Sequence, residues 1–139
     1  MNLTVDQADG HAEVTILRIQ GAIDASNYEQ LIAKASELYQ TGARYLLLDM
    51  TDVPFMSSSG LVALHSIALL LQGQQPPDPQ MGWQAFHSIG HDRDSGTQPY
   101  VKLINPQPKI RQTLQMTSMD EFFAIYPDLP AALASVQGS

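Results

Sequence analysis

Three consecutive hydroxyls, Ser57, Ser58 and Ser59, followed by Gly60, separate an apolar run that closes at Leu48 from a second one that opens at Leu61. A strand, a tight polar turn and a helix explain this order, with the helix starting on the serines. A helix start leaves backbone N–H groups unpaired, so a serine there makes a good cap. The same N–H groups and the helix dipole favour negative charge, so the position also suits a phosphate. The chemistry on offer is a hydroxyl that can accept a phosphoryl group where the fold tolerates the added charge. Asp49, Thr51 and Asp52 lie just upstream, Asp49 near the end of the preceding strand.

Two other chemistries fit less well. A strand–turn–Ser–helix order also describes the nucleophile elbow of hydrolases, but that motif needs Gly-x-Ser-x-Gly and Met56 stands two residues before Ser58. His65 falls inside the apolar helix, where packing or solvent contact is expected of it rather than service as a base. His87 and His91 are four apart, yet Gly90 and the surrounding Gly- and Pro-rich sequence argue against the helix such a pair needs to hold a metal. No metal site, cofactor or catalytic residue is expected. There are no cysteines, which removes disulfides, thiol catalysis and cysteine-based zinc sites.

The elements that must position the serines can be read outward from them. The 139 residues suffice for one domain with a real core, and 44% hydrophobic content is that of a globular chain. Val14–Ile19 is β-branched-rich and ends before Gly21, which suits a strand, with a weaker strand at Leu3–Val5 joined through Asp9-Gly10. Ser26-Asn-Tyr-Glu29 has the form of a capping box, and Tyr28, Leu31, Ile32, Ala35, Leu38 and Tyr39 then trace one face of a helix that Gly42 is placed to end. Tyr45–Met50 reads as a central strand and Ser58–Gln72 as a helix apolar almost all round, hence buried. Residues 73–99 carry Pro76, Pro77, Pro79, Pro99 and four glycines, which prevent any long regular element, although Trp83 and Phe86 are unusual in an idle loop. Tyr100–Ile104 is a further strand, Ile110 and Leu114 mark a short helix, Met119–Tyr126 reads as helical, and Leu129–Val136 adds a last turn or two. Alternating strands and helices predict an α/β domain with a mixed, mostly parallel sheet of four to five strands and about four helices. The turns at 22–26, 49–59 and 105–108 then gather at the carboxyl ends of the strands, where sites in open α/β sheets lie.

Charge narrows the partners. With 7 basic and 14 acidic side chains the net charge is −7, the wrong sign for nucleic acid, so another protein is the expected partner. The first residues lack the basic and apolar regions of a signal peptide, and no apolar stretch reaches the roughly 20 residues of a membrane span, so a soluble cytoplasmic protein without membrane insertion is expected.

Taken together, three segments resemble the STAS domain of bacterial anti-sigma factor antagonists: Leu17-Arg-Ile-Gln-Gly21-Ala-Ile-Asp24, Leu48-Asp49 through Ser59-Gly60-Leu61, and Leu103-Ile104-Asn105-Pro106-Gln-Pro108-Lys-Ile110 with Leu114 and Phe122-Phe123. The resemblance covers the chain except residues 73–99 and implies one STAS domain over 1–139, with 73–99 an atypical insertion. It implies a non-enzymatic binding protein of a partner-switching pathway, phosphorylated at Ser58, with Ser57 and Ser59 as second choices. It also implies a partner-binding surface of Asp24, Asp49, Thr51, Ser57, Ser59, Gly60 and Asn105. The implied partners are an anti-sigma factor-type serine kinase and a cognate phosphatase. Two departures stand out: Ser57 where the family usually has an acid, and the insertion at 73–99 where the family has a short turn between helix and strand; Thr117-Ser118-Met119 in place of the usual Thr-Gly-Leu is a smaller change at a helix end. The first keeps a second reading open, a STAS module that is not phosphorylated and instead binds a small ligand or serves as a subunit of a larger assembly such as a transporter.

Overall fold

Strand pairing follows from where the apolar side chains must go. In a computed structural model, which describes residues 1–8, 11–72 and 98–137, five strands form one sheet in the order β1-β2-β3-β4-β5. They are β1 (Asn2–Ala8), β2 (His11–Gln20), β3 (Tyr45–Asp52), β4 (Gln98–Ile104) and β5 (Phe123–Tyr126). β1 runs antiparallel to β2, and all other neighbours are parallel. The helices are α1 (Tyr28–Gln40), α2 (Ser58–Leu71), α3 (Pro108–Met116), α4 (Met119–Phe122) and α5 (Leu129–Gln137).

Both faces of the sheet are covered, which is why β3 reads as a continuous apolar run. Alternation sends Leu46, Leu48 and Met50 into the main core, with Leu17, Ile19, Val101 and Leu103 beside them. Leu31 and Ala35 of α1, Ile110 and Leu114 of α3, and most of α2 complete it. Leu47 points the other way and joins Val14, Ile16 and Ile104 in a smaller cluster roofed by Ala132 and Val136 of α5. Strands laid down in sequence order by crossovers of one hand put α1 to α4 on one face, and α5 turns back beneath the other.

α2 is the most deeply buried helix, with eleven of its fourteen residues buried, His65 among them. The His65 ring lies 5.8 Å from that of Phe122, so it packs rather than meeting solvent. α1 ends as its sequence requires: Gly42 takes φ +116°, a conformation that suits glycine and few other residues.

Three expectations are corrected. Met119–Tyr126 is not one helix; a single turn, Met119–Phe122, gives way to β5, which pairs in parallel with β4 through Lys102↔Ala124 and Leu103↔Ile125. This raises the helix count to five, because α3, α4 and α5 are separate. The Ser26–Glu29 capping box does not form, since the cap position is Asn27 and the Ser26 hydroxyl donates to Asp24 instead. β4 also starts at Gln98, two residues before the expected Tyr100. His87, His91, Trp83 and Phe86 lie outside the described residues.

Candidate functional site

The loops after β2, β3 and β4 meet at one rim of the sheet, and backbone hydrogen bonds tie them there. Beyond Gln20, the chain keeps pairing with the loop after β3. Gly21 N–H donates to the Asp52 carbonyl at 3.0 Å and Ile23 N–H to the Phe55 carbonyl at 3.0 Å. Ser57 N–H in turn donates to the Ile23 carbonyl at 2.9 Å. An isolated parallel bridge joins Ile23 to Met56. The serine loop is thus held as a continuation of the sheet.

Met56 and Gly60 lock the start of α2. Met56 is 6% exposed, and a Cβ on Gly60 would fall 2.2 Å from Met56 Cγ, 3.0 Å from its Sδ and 3.3 Å from Ile23 Cγ2. Carbon atoms in contact sit roughly 3.5–4.0 Å apart. A side chain here would displace Met56, so close approach favours glycine, and the buried Gly60 is part of the loop's foundation.

The three serines are not equivalent. Ser57 occupies the cap position of α2, but its side chain makes no capping hydrogen bond. Its Oγ is buried and has no hydrogen-bond partner among the described residues. Ser58 is the first residue of α2 and is exposed, and Ser59 is half-buried. Backbone pairing resumes with Gly60 N–H donating to the Ser57 carbonyl at 2.9 Å, which leaves the N–H groups of Ser58 and Ser59 without an acceptor among the described residues. No acidic residue stands in the first turn. Ser58 thus combines access with the positive end of a helix dipole.

Around this loop, Asp24 organises the turn after β2. Its carboxylate accepts from the Ser26 hydroxyl at 2.5 Å and from Ser26 N–H at 2.9 Å, and these bonds hold its carboxyl below the usual aspartate range, the hydroxyl contributing most. Asn27 closes the same turn, accepting from Asp24 N–H and donating to the Ala22 carbonyl. Asp49 does similar work after β3, accepting from the Thr51 hydroxyl at 2.7 Å and Thr51 N–H at 3.0 Å. Thr51 then carries the third loop: Asn105 Nδ2 donates to its hydroxyl at 3.3 Å and Gln107 Nε2 to its carbonyl at 2.9 Å. Asn105 adopts φ 48°, a left-handed conformation that asparagine tolerates better than most residues.

Asp24, Thr51, Ser57, Ser59, Gly60 and Asn105 accordingly belong to one rim. Asp49 belongs to it through Thr51, but alternation along β3 turns its side chain to the face opposite α2. There Arg18 lies 3.8 Å from Asp49 and 3.9 Å from Asp6. Sequence reasoning passed over Arg18, Asn27 and Gln107; Arg18 sits opposite Asp49 in register, and only strand pairing makes that visible. It also passed over Phe55, which is 55% exposed.

Among the described residues, no helix is long and apolar enough to cross a membrane.

The family model of the STAS domain matches residues 4–75. The protein named "Putative anti-sigma factor antagonist BtrV", from Bordetella bronchiseptica (strain ATCC BAA-588 / NCTC 13252 / RB50), is 33% identical over 75 residues, which are 54% of this chain and 62% of the relative. Among solved structures, SpoIIAA, an anti-sigma factor antagonist, superposes in its unphosphorylated form with TM-score 0.61 at 19% identity, over 99% of this chain and all of that one. Its phosphorylated form, from Bacillus, gives TM-score 0.61 at 17% identity, over 97% and 99% of the two chains. The murine anion transporter Slc26a9 contains a similar unit, with TM-score 0.62 at 16% identity, over 91% of this chain and 18% of the transporter. At these identities the superpositions establish the fold alone. The family match over residues 4–75, which include the serine loop, shows that this chain belongs to the STAS domain family.

Proposed function

We propose that the protein is an anti-sigma factor antagonist-like regulatory binding module, switched by phosphorylation of Ser58. The observation that carries this reading is the contrast within the triplet: Ser58 is exposed at the start of α2, whereas the Ser57 hydroxyl is buried. Phosphorylation adds about −1.5 to −2 charges and three strong acceptor oxygens. The free N–H groups of the first turn accommodate that charge, so the fold need not change. The surface does change, because a large anion joins a rim that already carries Asp24 and Asp52. A partner docked on the unmodified rim without a cation there would be expelled by desolvation and like-charge repulsion. The partners on this reading are an anti-sigma factor-type serine kinase and a cognate phosphatase, in the cytoplasm; the protein itself needs no cofactor and catalyses nothing.

Phosphopeptide mass mapping of the protein from its native cells, with a Ser58→Ala control, tests this. One phosphate on Ser58, absent from the control, supports the switch. A phosphate on Ser59 moves the site and keeps the mechanism. None under any growth condition, with full peptide coverage, sinks it in favour of a second reading, a STAS module that is never phosphorylated. The similarity to a unit of an anion transporter and the serine at position 57 favour that alternative.

A further inference from the structure

Phe55 and Met116 are the exposed large apolar side chains among the described residues, at 55% and 78%. They are sixty-one positions apart in the chain, yet they line one groove of about 360 Å³ between the serine loop and α3. Met56 and Ile110 contribute to its lining, with Thr113 and Lys109 along the α3 side. A pair of exposed apolar residues meeting in one concavity, one on the loop that leads to Ser58 and one at the end of α3, marks an interaction surface rather than scattered surface hydrophobicity.

The charge of the groove is the reverse of the protein's. The chain as a whole carries −7, but no acidic residue lines the groove and α3 contains none. Lys109 is exposed and joins no ion pair among the described residues, whereas Arg18 and Lys34 are each near a carboxylate. Lys109 also sits in the first turn of α3, whose cap, Gln107, makes no side-chain capping bond, so the helix dipole adds to its positive charge. Lys109 and Met116 stand seven residues apart on one side of α3, about 10 Å at the helical rise.

We infer that this groove docks an amphipathic helix of the partner protein, one that presents a large apolar side chain to Phe55 and Met116 and a carboxylate about two turns away to Lys109. The inference rests on the reading of the Ser58 loop as a docking rim and extends that rim across α3. It predicts contacts that phosphorylation leaves intact and that contribute affinity beside the switch.

The test is an NMR titration of the 15N-labelled full chain with two Ala-based helical peptides. One carries Leu and Phe at one end of a stripe and Glu two turns along it; the other has Lys in place of Glu. The expected result is amide shifts confined to the neighbourhood of Phe55, Thr113 and Met116, with the Glu peptide binding about tenfold tighter than the Lys peptide and Lys109→Glu inverting that order. Met116→Glu, on a residue too exposed to unfold the chain, should weaken the Glu peptide by a similar factor. Equal binding of the two peptides, shifts elsewhere, or no shifts at millimolar peptide overturns the proposal. So does sedimentation showing a dimer that Met116→Glu dissociates, which gives the groove to a second copy of this chain. None of these results bears on whether Ser58 is phosphorylated, so failure here and failure of the switch are separately visible.

Discussion

Replacing Gly60 by alanine should damage the protein through one side chain, Met56. The added Cβ would sit 2.2 Å from Met56 Cγ, well inside the contact distance of roughly 3.5 Å. Overpacking of this kind costs about 1–3 kcal/mol, and so close an approach belongs in the upper half of that range. Alanine in a helix gains up to about 1 kcal/mol over glycine. The net expectation is a loss of about 1–2 kcal/mol, read from urea denaturation followed by far-UV circular dichroism. Met56→Ala alone should cost about 2–3 kcal/mol, the lower part of the range for truncating a buried methionine, since Met56 sits in a loop at the edge of the core.

The double variant separates this cause from any other. With Met56 shortened to alanine, the two closest contacts of a Cβ at position 60 are gone and the next nearest atom is Ile23 Cγ2, at 3.3 Å, so the helix-propensity gain dominates. Gly60→Ala should then be neutral or stabilising by up to about 1 kcal/mol, a coupling energy of about 2 kcal/mol between the two sites. Gly60→Ala as stable as wild type would refute the reasoning. Effects of the two substitutions that add to within about 0.5 kcal/mol would refute it equally, because independent sites add to that accuracy.

Ser118→Gly should stabilise the protein by about 0.5–1 kcal/mol, because Ser118 holds φ 60° between α3 and α4 and a left-handed residue with a Cβ carries a penalty glycine avoids; a thermal melt reads it, and a lower midpoint would contradict it. Ser66→Ala should be neutral or stabilising by up to about 1 kcal/mol, since the Ser66 hydroxyl is buried without a hydrogen-bond partner among the described residues; a loss above about 1 kcal/mol would show that the hydroxyl is satisfied. Asp24 has its folded-state pKa lowered, first by the Ser26 hydroxyl and then by Ser26 N–H. Its contribution is therefore present above the unfolded aspartate pKa and disappears as pH falls through the folded one. Stability of wild type relative to Asp24→Ala should converge on acidification, and a difference that widens instead would reverse the assigned cause.

How much of this was legible beforehand depended on whether local pattern and tertiary pairing agreed. The face of α1, the apolar run of β3 and the all-round apolar α2 were readable because burial alone dictates their spacing. Met119-Asp-Glu-Phe-Phe-Ala-Ile-Tyr126 was not. Its apolar residues at 119, 122, 123, 125 and 126 suit a helix over the first turn and a strand over the last four residues. Only the open edge of β4 decides where one becomes the other. The capping box failed for a related reason: Asp24, two residues before Ser26, offers the hydroxyl a charged acceptor, and charge-assisted bonds outcompete neutral ones. The rim itself was anticipated from the order of strands and turns. Its apolar extension was not, because nothing local brings Phe55 to Met116.

The way the serine loop is tethered has a consequence for how a phosphate there could act. Its N-terminal side is bonded to the β2 strand extension through Ile23 and Phe55, and its C-terminal side enters a helix whose buried residues run from Gly60 to Leu71. Moving Ser58 by even a few ångströms would break backbone bonds on one side or pull apolar side chains from the core on the other. An added phosphate offers no comparable gain, because the N–H groups of Ser58 and Ser59, without an acceptor among the described residues, already lie beside the hydroxyl that would carry it. The physical economy of the loop therefore favours a signal written in surface charge over one written in backbone movement. The amides of α2 beyond its first turn should keep their NMR positions in Ser58→Asp, and widespread shifts through α2 and β3 would show that negative charge at this position acts through conformation instead.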